Sequence, residues 1–252
     1  MGLPASHAVA RLRAARLAAS SKPFVARGSA SARCEGCRLK ASHCLCALRP
    51  EVSTRAGVCL LMADIEPLKP SNTGWLIADL VADTWAFGWS RVAVDPALLA
   101  LLDDPQWQPY VVFPGEYAAP QRVVREVAPA AASGKRPLFV LLDGTWSEAR
   151  KMFGRSPYLD RLPVLTLQPG HDSNYRLRRS FHGQHFCTSE VAAQCLALAS
   201  EAHAAEALAA YLDVFTTHYL SAKRNLRLDR ESEAHQRLLH LCCQVPTEPS
   251  AA

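Results

Sequence analysis

The chain has 252 residues, of which 49% are hydrophobic, and its formal net charge is +5. This composition is typical of a globular protein with one domain of ordinary size plus an appendage, and it excludes a disordered chain. No apolar run approaches the ~18 residues that a membrane span requires. The lack of a secretory leader and an odd number of cysteines, nine, predict a cytoplasmic protein without a disulfide framework.

The excess positive charge lies at the start of the chain. Residues 1–33 contain six Lys/Arg and no acid, whereas the rest of the chain has 22 basic and 23 acidic residues, a net charge of −1. Residues 8–19 fit a short basic amphipathic helix. A basic arm of this kind suits a polyanion, and nucleic acid is the first expectation. The alternatives are a solubilising tail or a transit peptide.

Four closely spaced cysteines follow this arm: Cys34, Cys37, Cys44 and Cys46. Four thiolates within thirteen residues match the ligand count of a closed tetrahedral zinc site, and Gly36 relaxes the turn of the first pair. Because four protein ligands leave no open coordination position, we predict a structural zinc rather than a catalytic one. An iron–sulfur cluster is the weaker alternative.

Beyond residue 50 the apolar pattern alternates between strands and helices. This alternation predicts an α/β fold with a mostly parallel sheet and helices on both faces. A long basic loop over 170–187 interrupts the pattern, and the chain is helical from 188 onward. The predicted strands cover 58–62, 84–89, 110–113, 138–142 and 164–167, with a less regular candidate at 123–127, and the predicted helices cover 75–81, 96–102 and 145–153.

Four segments follow from these patterns. They are a basic arm (1–33), a zinc knuckle (34–50), an α/β domain (51–225) and a C-terminal helix with a tail (226–252).

Three junctions that lead into helices are candidate ligand sites. Residues 143–147 (Asp-Gly-Thr-Trp-Ser) follow the central predicted strand, and Thr145 and Glu148 have capping-box spacing. Residues 67–74 precede the helix after the first strand, and residues 186–190 form the third junction, where Thr188 is the predicted cap. Ligands bind at the carboxyl ends of parallel strands, although each junction taken singly is more often a plain cap. The chain contains no G-x-G-x-x-G and no P-loop, which excludes the two common glycine-rich nucleotide-binding motifs.

Several motifs together resemble the DTW-domain family. The tract 143–153 (DGTWSEARKMF) carries the likeness, and further tracts agree in order: EPLKPSNTG at 66–74, YVVFP at 110–114, SPYL at 156–159, YRLR at 175–178 and CTSE at 187–190. The cysteine cluster and the arm are similar to those of the bacterial tRNA-uridine aminocarboxypropyltransferases in this family. The resemblance covers roughly residues 8 to 225.

The resemblance implies a SPOUT-like, knotted fold and a specific reaction. Family members transfer the 3-amino-3-carboxypropyl group of S-adenosylmethionine to N3 of a uridine in the tRNA variable loop, and 5′-methylthioadenosine is released. We expect Asp143 to be the catalytic residue, either as the general base for the N3 proton or as a group that orients the base edge.

The remaining site residues are expectations of the same resemblance and of the junctions described above. The cofactor pocket is expected to contain Ser71, Asn72, Thr73, Asp143, Gly144, Thr145, Trp146, Cys187 and Thr188. Phosphates of tRNA, the expected partner, are expected to contact Arg11, Arg13, Arg16, Arg27, Arg150, Lys151, Arg176, Arg178 and Arg179.

The sequence departs from the family pattern at two positions. Close relatives carry arginine where this chain has Trp75, and proline is common where it has Ser147, a benign change in the first turn of a helix. Two rival functions stay open: a SPOUT-like RNA methyltransferase that uses the same donor, and a non-enzymatic zinc-knuckle RNA-binding protein. The sequence does not give the oligomeric state, and a monomer is the starting expectation.

Overall fold

The fold is seen in a computed structural model that describes residues 6–21, 24, 31–129, 134–168 and 186–243. Six strands form one sheet in the order β2-β1-β5-β3-β6-β4, and every neighbouring pair is parallel. The strands are β1 (Gly57–Met62), β2 (Thr84–Gly88), β3 (Trp107–Val112), β4 (Val123–Val124), β5 (Arg136–Asp143) and β6 (Val164–Leu165).

Seven α-helices accompany this sheet in the described part of the chain. The predicted α/β class with a parallel sheet is therefore confirmed, while the knot implied by the family resemblance stays a prediction. The helices are α1 (Ala8–Ala18), α2 (Gly74–Leu80), α3 (Pro96–Asp103), α4 (Trp146–Gly154), α5 (Thr188–Leu198), α6 (Ala202–Arg224) and α7 (Glu233–Cys243).

The sheet has an apolar core on each of its faces. Along β1, Leu60 and Met62 face the larger core, and Cys59 and Leu61 face the smaller one, which is the two-residue alternation of a strand. Helices α2, α5, α6 and α7 pack in the larger core, and α3 and α4 pack in the smaller. Both faces of the sheet are thus covered by helices, as the near-continuous apolar strands predicted.

Strand β3 begins three residues earlier than the sequence predicts and includes Pro109. The amide of Val111 donates to the carbonyl of Pro163 on the β6 side of the strand. The nitrogen of Pro109, two residues earlier, faces the same side, where the ladder to β6 begins only at Val111. Proline is therefore tolerated at this position, because no neighbouring strand would accept a hydrogen bond from an N–H there.

The basic helix of the arm packs on the sheet rather than standing apart from it. Helix α1 contacts β2 and the turn at Glu66–Leu68, and Val9 is fully buried in the larger core. The C-terminal helix α7 packs on α6 through Leu238 and Leu241, which are buried. Within the described ranges, no helix combines the length and apolarity needed to cross a membrane.

Candidate ligand cavity and metal centre

A cavity of about 1080 Å³ opens at the carboxyl edge of the sheet. Its size is that of pockets that enclose a small organic ligand. The ends of β3, β5 and β6 and the first turns of α4 and α5 form its walls. Three of the residues that the sequence assigns to a cofactor pocket line this cavity: Gly144, Trp146 and Thr188.

Asp143 lies directly behind the cavity wall, at the end of the central strand. Its side chain is 1% exposed. The Asn72 amide Nδ2 donates to Asp143 Oδ2 (2.7 Å), and the Thr188 hydroxyl donates to Asp143 Oδ1 (2.6 Å). The amide of Ala63, just beyond β1, donates to the Asp143 carbonyl (2.8 Å). One buried carboxylate therefore joins all three predicted junctions at a single edge of the sheet.

Residues 71–74, the end of the predicted junction at 67–74, support this carboxylate from behind. Asn72 Oδ1 accepts a hydrogen bond from the amide of Trp75 (3.2 Å), which fixes the orientation of the Asn72 amide. A Cβ on Gly74 would lie 2.9 Å from Asp143 Oδ2, so only glycine lets the loop approach so closely. Asn72 and Thr73 are buried, and Ser71 is half-buried. None of these three side chains lines the cavity.

The predicted cap of α5 is wrong by one residue. Cys187, not Thr188, is the N-cap, and its amide donates to the Glu190 carboxylate (2.7 Å) in a capping box. The Ser189 amide donates to the Thr73 hydroxyl (3.3 Å). Because Thr188 is the first helical residue, its hydroxyl is available to bond Asp143. Burial raises the pKa of the Cys187 thiol to about 12, which keeps it a neutral packing group behind the cavity.

Helix α4 begins as the sequence predicts. Thr145 is its N-cap, and Thr145 and Glu148 form the reciprocal capping box. Thr145 is exposed and does not line the cavity. Its hydroxyl donates to the Glu148 carboxylate (2.6 Å), so its side chain caps the helix.

An aromatic cluster forms one wall of the cavity. The ring of Phe113 stacks on Trp146 (centroids 5.4 Å apart, planes at 10°) and on Phe153 (4.4 Å, 13°). Tyr117 meets the Trp146 ring edge-on at 5.8 Å. Trp146 is 41% exposed, a large fraction for an aromatic residue in a cluster. Trp146, held by this cluster and exposed at the cavity, can stack on the ring of a bound ligand.

Sequence reasoning missed several polar residues that line the cavity. Of the described residues that line it, Arg125 is the only cation and Glu116 the only acid. The amide of Gly115 donates to the Thr166 hydroxyl (3.2 Å), which ties the turn after β3 to the end of β6. The only feature of the sequence that could have identified these residues is their position, because each follows a strand by one to four residues.

The four clustered cysteines could hold one metal ion. Their Sγ atoms all lie within 4.8 Å of one another, and three of the pairs are 3.4–3.8 Å apart. A tetrahedral zinc with Zn–S bonds of ~2.3 Å places its sulfur atoms about 3.8 Å apart. A Cβ on Gly36 would lie 2.8 Å from Cys46 Sγ, so the turn needs glycine there. The donor set and its spacing fit a structural, four-thiolate zinc site.

Five of the nine predicted phosphate contacts lie among the described residues. Arg11, Arg150 and Lys151 are exposed, and Arg13 is half-buried. Arg16 donates through Nε and Nη2 to the carboxylate of Asp64 (2.5 and 2.6 Å). The remaining four residues lie outside the described residues: Arg27, Arg176, Arg178 and Arg179.

Comparison with known families gives one match. The DTW-domain model matches residues 31–220, from the cysteine knuckle to the last turn of α6. No solved structure matches the chain significantly.

Proposed function

The chain belongs to the DTW-domain family, and on that premise we propose that it is a tRNA-uridine aminocarboxypropyltransferase. Membership of the family is consistent with a tRNA-modifying enzyme. The observation that carries the finer proposal is the position of the family's Asp-x-Thr-Trp tract. That tract ends the central strand and supplies Gly144 and Trp146 to the cavity wall. S-adenosylmethionine would bind in this cavity, and the target uridine would enter from its open side.

The choice of transferred group is a matter of positioning. The sulfonium of S-adenosylmethionine activates three attached carbons, and attack by uridine N3 at the γ-carbon of the methionyl chain forms an N–C bond while the C–S bond breaks. The bonding pair returns to sulfur, which leaves as the neutral thioether 5′-methylthioadenosine, and the N3 proton passes to water. The cavity must therefore present the methionyl chain, and not the methyl group, to the base.

Arg125 and Glu116 are suited to hold the methionyl chain. Its end carries a carboxylate and an ammonium group, and these two residues are the described lining residues of opposite charge. Arg125 would bind the carboxylate, with the forked geometry that guanidinium offers, and Glu116 would bind the ammonium. Trp146, the exposed member of the aromatic cluster, would then pack against the adenine ring. In this arrangement different residues of the cavity would hold the amino-acid end and the adenine end of S-adenosylmethionine, with the methionyl chain between them.

Asp143 is suited to orient the site rather than to remove a proton. A general base must come within hydrogen-bonding reach of the proton that it accepts. Asp143 is 1% exposed, and each of its oxygens already accepts a hydrogen bond. The same burial and hydrogen bonds also keep the carboxylate away from the edge of the uridine base, the other role expected from the sequence, so this geometry favours a third role, the orientation of protein groups at the cavity wall. Asp143 would hold Thr188 at the cavity wall and Asn72 behind it.

The cysteine knuckle and the basic residues complete the proposal. Zinc bound to Cys34, Cys37, Cys44 and Cys46 would be structural, because four thiolates leave no position for a substrate. The exposed cations of α1 and α4, together with the arginines of 170–187, would contact tRNA phosphates. Such contacts give a strongly salt-dependent affinity with little sequence preference.

One experiment separates this function from its rivals. Unmodified tRNA is incubated with the protein and S-adenosylmethionine, and nucleosides and by-products are identified by mass spectrometry. The proposal predicts aminocarboxypropyl-uridine and 5′-methylthioadenosine in equal amounts. A methylated nucleoside with S-adenosylhomocysteine would identify a methyltransferase. Binding of tRNA without any product would identify a non-enzymatic RNA-binding protein.

A further inference from the structure

Arg38 belongs to the cysteine knuckle, but its side chain enters the core of the protein. It follows the ligand Cys37 and is 3% exposed. Its φ of 63° lies in the left-handed region, which is uncommon for a residue with a side chain. The amide of Arg38 donates to the Cys34 carbonyl (2.7 Å), and the amide of Cys34 donates to the Leu39 carbonyl (2.8 Å). The tight turn that carries two metal ligands thus sets the backbone of Arg38.

The guanidinium of Arg38 binds the loop that precedes α2. Its Nη1 donates to the Lys69 carbonyl and its Nη2 to the Asn72 carbonyl (3.2 Å). The group lies 3.9 Å from the centre of the Trp75 ring, on its face. The indole Nε1 of Trp75 in turn donates to the Gly36 carbonyl (3.1 Å). A buried charge is retained only where hydrogen bonds and a favourable π face replace water, and this pocket supplies both.

This contact continues to the cavity through a chain of hydrogen bonds. Asn72, whose carbonyl Arg38 binds, donates from its side chain to Asp143. Asp143 accepts from Thr188, which lines the cavity. Four residues, Arg38, Asn72, Asp143 and Thr188, therefore connect the metal turn to the cavity wall through consecutive hydrogen bonds.

We propose that Arg38 is a positioning residue that couples metal loading of the knuckle to the order of the ligand cavity. With metal bound by Cys34 and Cys37, the turn holds Arg38 in its left-handed conformation and the guanidinium fixes residues 69–72. Without metal the turn relaxes, and Arg38 no longer donates to the carbonyls of Lys69 and Asn72. The loop then becomes less ordered, and the hydrogen bond from Asn72 to Asp143 weakens. The consequence for S-adenosylmethionine binding rests on the proposed function, whereas the ordering of the loop does not.

The test uses the full-length, metal-loaded protein and the variant Arg38→Met. Methionine keeps an unbranched side chain that can pack on Trp75 but cannot donate to the two carbonyls. We expect hydrogen–deuterium exchange in 69–76 to become about ten-fold faster or more, and the Kd for S-adenosylmethionine to rise about ten-fold, the change that loss of one net hydrogen bond produces. The metal content should stay at one per chain.

Lys40→Ala is the matched control, because it removes a cation from the same knuckle. The Lys40 ammonium donates to Asn225 Oδ1 (2.8 Å), just beyond α6, and not to residues 69–72. Exchange in 69–76 should stay at the wild-type rate in this variant. Exchange in Arg38→Met that matches Lys40→Ala would overturn the proposal.

A second measurement tests the coupling between metal and loop if Arg38→Met loses its metal or fails to fold. The metal is removed from the wild-type protein with a chelator, and exchange in 69–76 is compared with exchange in β1 and β5. Faster exchange confined to the loop supports the coupling, whereas unchanged exchange, or an equal rise in the strands, overturns it. A wild-type protein that does not bind S-adenosylmethionine refutes the proposed function but leaves this readout intact.

Discussion

The substitution Asp143→Asn tests whether this carboxylate holds the three junctions together. Asn72 cannot turn its amide without losing the bond from the Trp75 amide, so the oxygen of the new Asn must remain on the Asn72 side. Its NH2 group then faces Thr188, whose hydroxyl can rotate to accept. Two charge-assisted hydrogen bonds, worth ~1.5–3 kcal/mol each, become two neutral ones worth ~0.5–1.5 kcal/mol each. The expected loss in free energy of unfolding is about 2 kcal/mol.

For a chain of this size that loss corresponds to a Tm lower by about 4–8 °C. Asp143→Ala should lower stability further, because it leaves the donors of Asn72 and Thr188 unsatisfied in a buried place. The assay is urea unfolding together with thermal unfolding. Asp160→Asn is the control, since that side chain is 70% exposed and its ion pair with Arg122 is long, at 3.6 Å. The control should change stability by less than ~0.5 kcal/mol.

Binding and turnover of the same variant separate the two roles of Asp143. An orienting role predicts that Asp143→Asn weakens S-adenosylmethionine binding while measurable transfer remains. A general-base role predicts an unchanged Kd and a kcat lower by more than about 10²-fold. Stability within ~0.5 kcal/mol of the wild type, or a kcat effect without a binding effect, would refute the reasoning from the buried hydrogen bonds.

Three further predictions concern the metal, the acid stability and the cavity. Cys44→Ser should lower bound zinc from one per chain toward zero in elemental analysis, whereas Cys242→Ser, on the exposed part of α7, should retain it. Burial lowers the pKa of His218 from 6.5 to about 4, so stability present above pH 6.5 should be lost as the pH falls toward 4. His218→Gln should flatten this pH dependence in denaturant titrations, and the exposed His240→Gln should leave it as steep as in the wild type. Arg125→Gln should weaken S-adenosylmethionine binding at least about ten-fold in calorimetry while tRNA affinity stays within two-fold, and an equal loss of both would place Arg125 among the RNA contacts.

The strands and the capped helix α4 could be predicted because their signals are local. Apolar runs flanked by polar turns gave the strands β1 and β5 to within two residues at either end, and the spacing of Thr145 and Glu148 gave the start of α4. The start of β3 could not be predicted in the same way. Whether Pro109 interrupts a strand depends on which neighbour faces its nitrogen, and that is a property of the sheet order.

The candidate site could be predicted only in part, for the same physical reason. The Asp143 tract could be identified as a candidate site because it lies at the end of a predicted strand. Arg125 and Glu116 belong to short turns whose convergence on the cavity depends on the topology of β3, β6 and β4. Trp75 stood out in the sequence as a departure from the family pattern. The structure shows that its ring packs under the guanidinium of Arg38, a contact across 37 residues that no local pattern encodes.

The most direct test of the proposed reaction follows the label of the donor. S-adenosylmethionine labelled in its methyl group and, separately, in its carboxyl group is incubated with the protein and unmodified tRNA. The proposed reaction predicts that the carboxyl label enters tRNA, one per modified uridine, and that the methyl label remains in the small-molecule fraction as 5′-methylthioadenosine. Entry of the methyl label into tRNA, or of neither label, would contradict it.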